Sequence, residues 1–314
     1  MSLALAVRLL PCAIGLSLPG SSADAQQHAA HISGSAATAS AEAAAFVAAA
    51  RAGTERYRDR NAAIAAGFRR LGRDFPSMGE HWAHPGKVIA GRFDVGDPAM
   101  LTYASIDGKP VLLGVVYAIP LELGQHPPEI PGGVSPWHEH NGTVDEESFL
   151  PEHGSDPSEM QPGTRLAILH VWTLLPNPAG PFAAENWALP FARLHLDPPD
   201  VVPEGAARAL SLASGSADFY SNLLESELSS RGDGEWRVAL ATAAARAASI
   251  LSDLSERGTG RALSAAQIAA LAETWSDFIA ALASRSPALA RRLGGSSAPD
   301  NSVPGHLSRS EIRH

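Results

Sequence analysis

A single cysteine, Cys12, occurs in the 314 residues, and it falls within the first 25. If that segment is removed, the remaining chain carries no thiol. Disulfides, thiolate metal centres and cysteine nucleophiles are then all closed to it, and stability must come from packing. After the N-terminal stretch there is no apolar run approaching the ~20 residues that a membrane-spanning helix needs. Positive charge is also scarce. Lys and Arg number 24 against 33 Asp and Glu, a net charge of −9, with no basic stripe, which argues against nucleic acid as a partner. No internal repeat is present, so a solenoid or propeller is excluded.

What the N-terminus does have is an export pattern. Arg8 gives a positive start, Leu9 to Leu18 a short apolar core, and Ala23-Asp24-Ala25 a small-x-small cleavage site. The apolar core is too short to anchor the chain permanently. Cys12 lies too early, directly after Pro11, to be a lipid-attachment residue. A signal peptide over residues 1–25 and a periplasmic or secreted location are expected. Its removal takes away one Arg and one Asp, so the net charge is unchanged. About 290 residues then remain, enough for one large domain or two smaller ones.

The chemistry-bearing stretch runs from Trp137 to Phe191. His138 and His140 are two apart in a short extended run, and in a strand residues i and i+2 share a face. His170 sits in the middle of the strand-like run Arg165–Leu174. If the two strands pair, three imidazoles converge, with Asp145, Glu146, Glu147 and Glu152 close in the chain. Three nitrogens with an optional carboxylate suit a divalent Zn, Fe, Cu or Mn ion. His81, in a segment read as a Pro/Gly-rich loop over Asp74–Gly86 together with Glu80 and Trp82, is the candidate fourth ligand or acid/base group. Glu146 and Glu147 are the candidates for catalytic proton transfer to a bound water.

Around this stretch the pattern predicts an α+β fold. A flexible lead-in (26–39) precedes a long helix from Ser40 to Leu71, whose Tyr57, Ile64, Phe68 and Leu71 share a face. An antiparallel β core, with barrel-like closure as an open alternative, should start with Val88–Phe93, Met100–Ser105 and Val111–Ile119. Asp107-Gly108 forms the hairpin turn between the last two. Val111–Ile119 is apolar enough to be buried on both faces, and Gly114 within it invites close backbone approach. From Pro203 the composition turns to Ala, Ser, Leu and Arg. Helices are predicted at Ala206–Leu212, Ala217–Ser229, Glu235–Ser255 and Ala265–Leu282. The last opens on a Ser264/Gln267 capping box and carries the stripe Ile268, Leu271, Trp275, Phe278, Leu282. The domain reading is therefore 40–200 for the helix plus β core with the site, 201–293 for a helical unit, and 294–314 for a disordered tail.

Two resemblances bear on this reading. His138-x-His140, then Asp145 or Glu146, then Pro162-Gly163 and His170, looks like a distorted cupin signature. The departures are the acidic position and a longer interval before His170. The likeness implies a double-stranded β-barrel holding a metal through two histidines, a carboxylate and a later histidine. Met78-Gly79-x-His81-Trp82, Pro98-x-x-Leu101-x-Tyr103, His-x-His, and His170-Val171-Trp172 with Asn177-Pro178-x-Gly180-x-Phe182 resemble blocks shared by a group of uncharacterised exported bacterial proteins. That group brings no activity with it. The expected function is an exported metal-binding protein, with metal-dependent hydrolysis or oxidation as one form. Non-catalytic binding of a metal or small ligand, or an interaction module with structural histidines, is the alternative.

Overall fold

The computed structural model describes residues 41–122, 124–131, 136–141, 165–228, 234–257 and 261–294. The architecture is α+β: an N-terminal helix, an open antiparallel sheet and a C-terminal helical unit. Helix α1 covers 41–54. A 3₁₀ turn (Glu55–Arg58) and the short α2 (Arg60–Ala65) follow. The expected continuation of this helix to Leu71 does not occur. Asp59 is extended (φ −82°, ψ 108°) and its carboxylate accepts from the Asn61 amide, restarting the helix. After the Ala66-Gly67 turn, Arg69–Phe75 forms strand β1 instead.

The predicted loop over Asp74–Gly86 is a second correction. Pro76-Ser77-Met78 is only a tight turn, and Gly79–Ala83 is strand β2, paired with β1. The expected strand Val88–Phe93 is instead helix α3 (Pro85–Ala90). His84 caps it by accepting from the Lys87 amide through Nδ1, Pro85 takes the first turn, and Gly91 ends it. Local capping here overrides the β preference of Val88 and Ile89.

Strands β3 (Met100–Ile106) and β4 (Lys109–Leu121) form the expected hairpin. Asp107 and Gly108 both have positive φ (53° and 70°), as a two-residue turn of this hand requires. Strands β5 (His138–Asn141) and β6 (Arg165–Val171) complete a six-stranded sheet in the order β1-β2-β3-β4-β6-β5. Every pairing is antiparallel. The sheet does not close into a barrel. β1 and β5 are its opposite edges, and helices cover its faces, so closure is not needed to bury them.

One face carries Trp82, Leu101, Tyr103, Val115, Tyr117, Leu169 and Val171 against Phe46 and Ala50 of α1 and against Tyr57. Tyr103 donates to the Tyr57 carbonyl and Tyr117 to that of Val95, so both phenols are core groups with satisfied ends. The other face carries Met100, Val116, Ala118, Leu166 and Ile168 with Phe75 and Met78. At Gly114 an added Cβ would lie 2.4 Å from the Val171 carbonyl oxygen, so only glycine lets β6 approach there.

The C-terminal unit comprises α4 (Leu189–Arg193), α5 (Glu204–Ser211), α6 (Ala217–Leu228), α7 (Glu235–Arg257), α8 (Ala265–Ala283) and α9 (Pro287–Leu293). The Ser264/Gln267 capping box forms, and Leu271, Trp275, Phe278 and Leu282 are buried with Ile268 beside them. Phe191 of α4 joins this helical core. Across to the sheet, Phe219 of α6 packs on Phe75, and Leu189 of α4 packs with Ala104, Leu113 and Trp172. None of the described helices is long and apolar enough to cross a membrane.

Candidate functional site

Cross-strand partners share a face, so the register decides which histidines meet. His81 on β2 pairs with Thr102 on β3, and Thr102 pairs in turn with Gly114 on β4. One step along, Val116 pairs with His170 on β6. Two residues before His170, Ile168 faces His138 on β5. His81, Thr102, His170 and His138 therefore all belong to the face that carries Met100 and Val116, the face covered by α6 rather than by α1. The His81 and His170 ring centroids are 5.3 Å apart, and those of His138 and His170 are 5.4 Å apart. His170 is thus close to each of the other two.

Among the described residues the surroundings are largely apolar. His81 and His170 are 0% and 2% exposed. The Phe75 ring lies edge-on to His81 at 5.8 Å, the Trp172 ring meets His170 at 6.1 Å, and Phe219 covers Phe75 at 5.4 Å. The helical unit is fixed over this face by an ion pair of Arg193 with Asp74 (2.5 Å) and by a 3.1 Å hydrogen bond from Ser77 to Glu185.

Of the sequence-predicted site residues, His81, His138 and His170 come together. His140 is placed through its backbone, opposite Leu166, and its side chain lies outside what is described. Asp145, Glu146, Glu147 and Glu152 lie outside the described residues. Glu80 does not join the cluster. It alternates to the α1 face, where its carboxylate accepts from Trp82 Nε1 (3.1 Å) and pairs with Arg60 and Arg70. His84 caps α3, and its ring packs against Phe68. Phe75, Phe219 and Thr102, which complete the surroundings, carry no signal in sequence that ties them to His81.

Two imidazoles bound to one tetrahedral ion, through nitrogens about 2.0–2.1 Å from it, have ring centres about 5 Å apart. The observed spacings match that. Among the described residues, however, no three His, Cys, Asp or Glu side chains form a group able to hold a metal as they stand. Elsewhere, a cleft of about 430 Å³ lined by residues including Arg51, Arg58, Val111, Leu113 and Leu174 contains none of the histidines.

Beside the cluster lies a partly buried polar network. Glu185 accepts from Ser77 Oγ and from Trp187 Nε1 (3.0 Å). Arg208 pairs with Glu204 and lies over the Trp187 and Trp275 rings at 4.5 and 5.9 Å. Burial pushes the Glu185 carboxyl above its ordinary range, against the downward pull of Arg208. The network ties the β1–β2 turn to the helical unit and sits outside the imidazole cluster.

Comparison with protein-family models, with curated proteins and with solved structures gives no match to this chain.

Proposed function

We propose that this chain is an exported protein that binds a divalent transition metal through His81, His138 and His170, with His140 as a further donor. The observation that carries the reading is the pair of ring spacings, 5.3 and 5.4 Å, among imidazoles drawn from three strands on one buried face. The torsion that turns a histidine ring is broad, so nitrogens at this spacing can be re-aimed with little backbone movement. A nitrogen-rich, thiol-free donor set suits Zn(II), Fe(II), Cu(II) or Mn(II). An open coordination position would support hydrolytic or oxidative chemistry, with Glu146 or Glu147 handling the proton. A closed one would mean carriage of the ion. Export rests on the Arg8, Leu9 to Leu18 and Ala23-Asp24-Ala25 pattern.

A second reading, imidazoles used as core rings without a metal, draws on the Phe75 and Trp172 contacts to His81 and His170. Elemental analysis of purified, dialysed protein separates the two. The metal reading expects about one equivalent in the wild type, and loss of most of it in His81→Ala and in His138→Ala/His140→Ala, with His84→Ala unchanged. Equal metal content in all four proteins would defeat it.

A further inference from the structure

We propose that the cleft at the turn end of the β3–β4 hairpin binds an amphiphilic monocarboxylate, a small molecule with one carboxylate and an aliphatic body. The proposal is independent of the metal-binding reading, for the cleft contains none of the histidines. Its apolar wall comes from two segments. On β4, Leu113 is the extra residue of a bulge, since Tyr103 pairs with Leu112 and Thr102 with Gly114. The Leu113 carbonyl accepts from the amides of Leu174 and Leu175, at 2.9 and 3.1 Å. That contact lays the chain after β6 against the start of β4, and all four leucines line the cleft. Leu112 and Leu113 are buried, Leu174 and Leu175 half-buried, and Val111 beside them remains 38% exposed. An exposed valine continuous with a leucine wall in a concave space is a seat for an apolar body. The volume, about 430 Å³, lies in the range of small-molecule sites.

The remaining lining is cationic. Arg51, in the last turn of α1, and Arg58, at the end of the 3₁₀ turn, both line the cleft and both are exposed. Among the described residues the Arg51 side chain makes no ion pair, and no Asp or Glu lines the cleft. Arg58 pairs with Glu55 at 2.6 Å, but their side chains are 48% and 56% exposed, and so solvated a pair yields to a competing carboxylate. On a chain of net charge −9, two exposed guanidinium groups beside a leucine wall reverse the local sign. The planar guanidinium fork matches a carboxylate in two parallel hydrogen bonds. A neutral apolar ligand would make no use of the arginines, and a small hydrophilic anion none of the leucines. The combination selects a molecule that has both parts. Arginine stems also serve to cover apolar surface, but stems laid flat on the leucines would fill this space rather than leave a cleft.

The test is isothermal titration calorimetry of the full mature chain in EDTA, with octanoate as the probe. EDTA removes any metal whose own affinity for carboxylate could imitate the result. Octan-1-ol, which lacks the charge, and acetate, which lacks the chain, are the comparators. Octanoate should bind saturably at about one equivalent, and each comparator at least about tenfold more weakly. Arg51→Gln/Arg58→Gln should weaken octanoate at least about tenfold, and Val111→Glu, which sets a like charge beside the wall, at least about fivefold. Arg246→Gln, on α7 and paired with Asp277, should bind as the wild type does. No saturable uptake of octanoate by the wild type overturns the proposal. So does octan-1-ol or acetate binding as tightly as octanoate, or unchanged affinity in the double arginine variant. The comparators use the wild-type chain alone, so the proposal stays falsifiable even where a variant fails to fold.

Discussion

Phe219 of α6 lies 5.4 Å from Phe75 of β1, ring to ring, and Phe75 in turn lies 5.8 Å from His81. The helical unit thereby reaches the imidazole cluster through a single intervening side chain. Phe219→Ala should destabilise the protein by roughly 2–3 kcal/mol, somewhat less than a fully enclosed phenylalanine because Phe219 is only partly buried. Denaturant unfolding measures the loss. The same variant should exchange a bound Co(II) faster, read by chelator competition, since the cover over Phe75 is thinner. An unchanged exchange rate would separate the helical cover from access to the cluster.

Arg193 and Asp74 make the second tie across the same boundary. Their side chains are 6% and 32% exposed, and Arg193 also donates to Ser216. Arg193→Ala should cost roughly 2 kcal/mol, more than a surface pair and less than a fully buried one, because water still reaches Asp74. A double-mutant cycle with Asp74→Asn, followed by urea unfolding, should give a coupling of about 1–2 kcal/mol. Additive losses would mean that the two residues act separately.

Glu185 makes the pH dependence predictable in sign. Its carboxyl titrates above the ordinary value of 4.5 because burial disfavours the charged form. The native state therefore keeps a proton that the unfolded chain has already lost. This group's contribution to stability is present below pH 4.5 and is lost as pH rises through the folded value. Relative to wild type, Glu185→Gln should become progressively more stable as pH rises above 4.5. Melting curves of the two proteins at several pH values check it, and a constant offset would contradict it.

Gly114→Ala should be among the most damaging single-methyl additions. The new Cβ would meet the Val171 carbonyl oxygen at 2.4 Å and the Trp172 Cα at 3.2 Å, both backbone atoms that cannot swing aside. A loss of about 3 kcal/mol, or failure to accumulate folded protein, is expected, with denaturation midpoints as the measure.

Segments whose signals were local were legible in the sequence. The β3–β4 hairpin announces itself through Asp107-Gly108 between apolar runs, and α8 through Ser264, Gln267 and its aromatic stripe. Pro76 and Gly79 disguised β2 as a loop, since the same residues that punctuate loops also close a tight hairpin turn. Val88 and Ile89 suggested a strand, and the His84 cap with Pro85 outweighed them. The meeting of His138 with His170 follows from pairing two strands and could be anticipated. That of His81, named from its place in the chain as a candidate fourth ligand, with His170 rests on more than chain position. It depends on the order of strands across the sheet, and no spacing along the chain encodes which strands lie between.

A flat sheet would hold His81 and His170 too far apart to share anything. Their separation is thus a gauge of curvature. Any event that flattens β3 and β4, whether thermal, mutational or imposed by a partner at either edge, pulls the two rings apart before a single ladder hydrogen bond needs to break. Because the two rings come from segments far apart in the chain, their contact is sensitive to mechanical strain in the whole β layer.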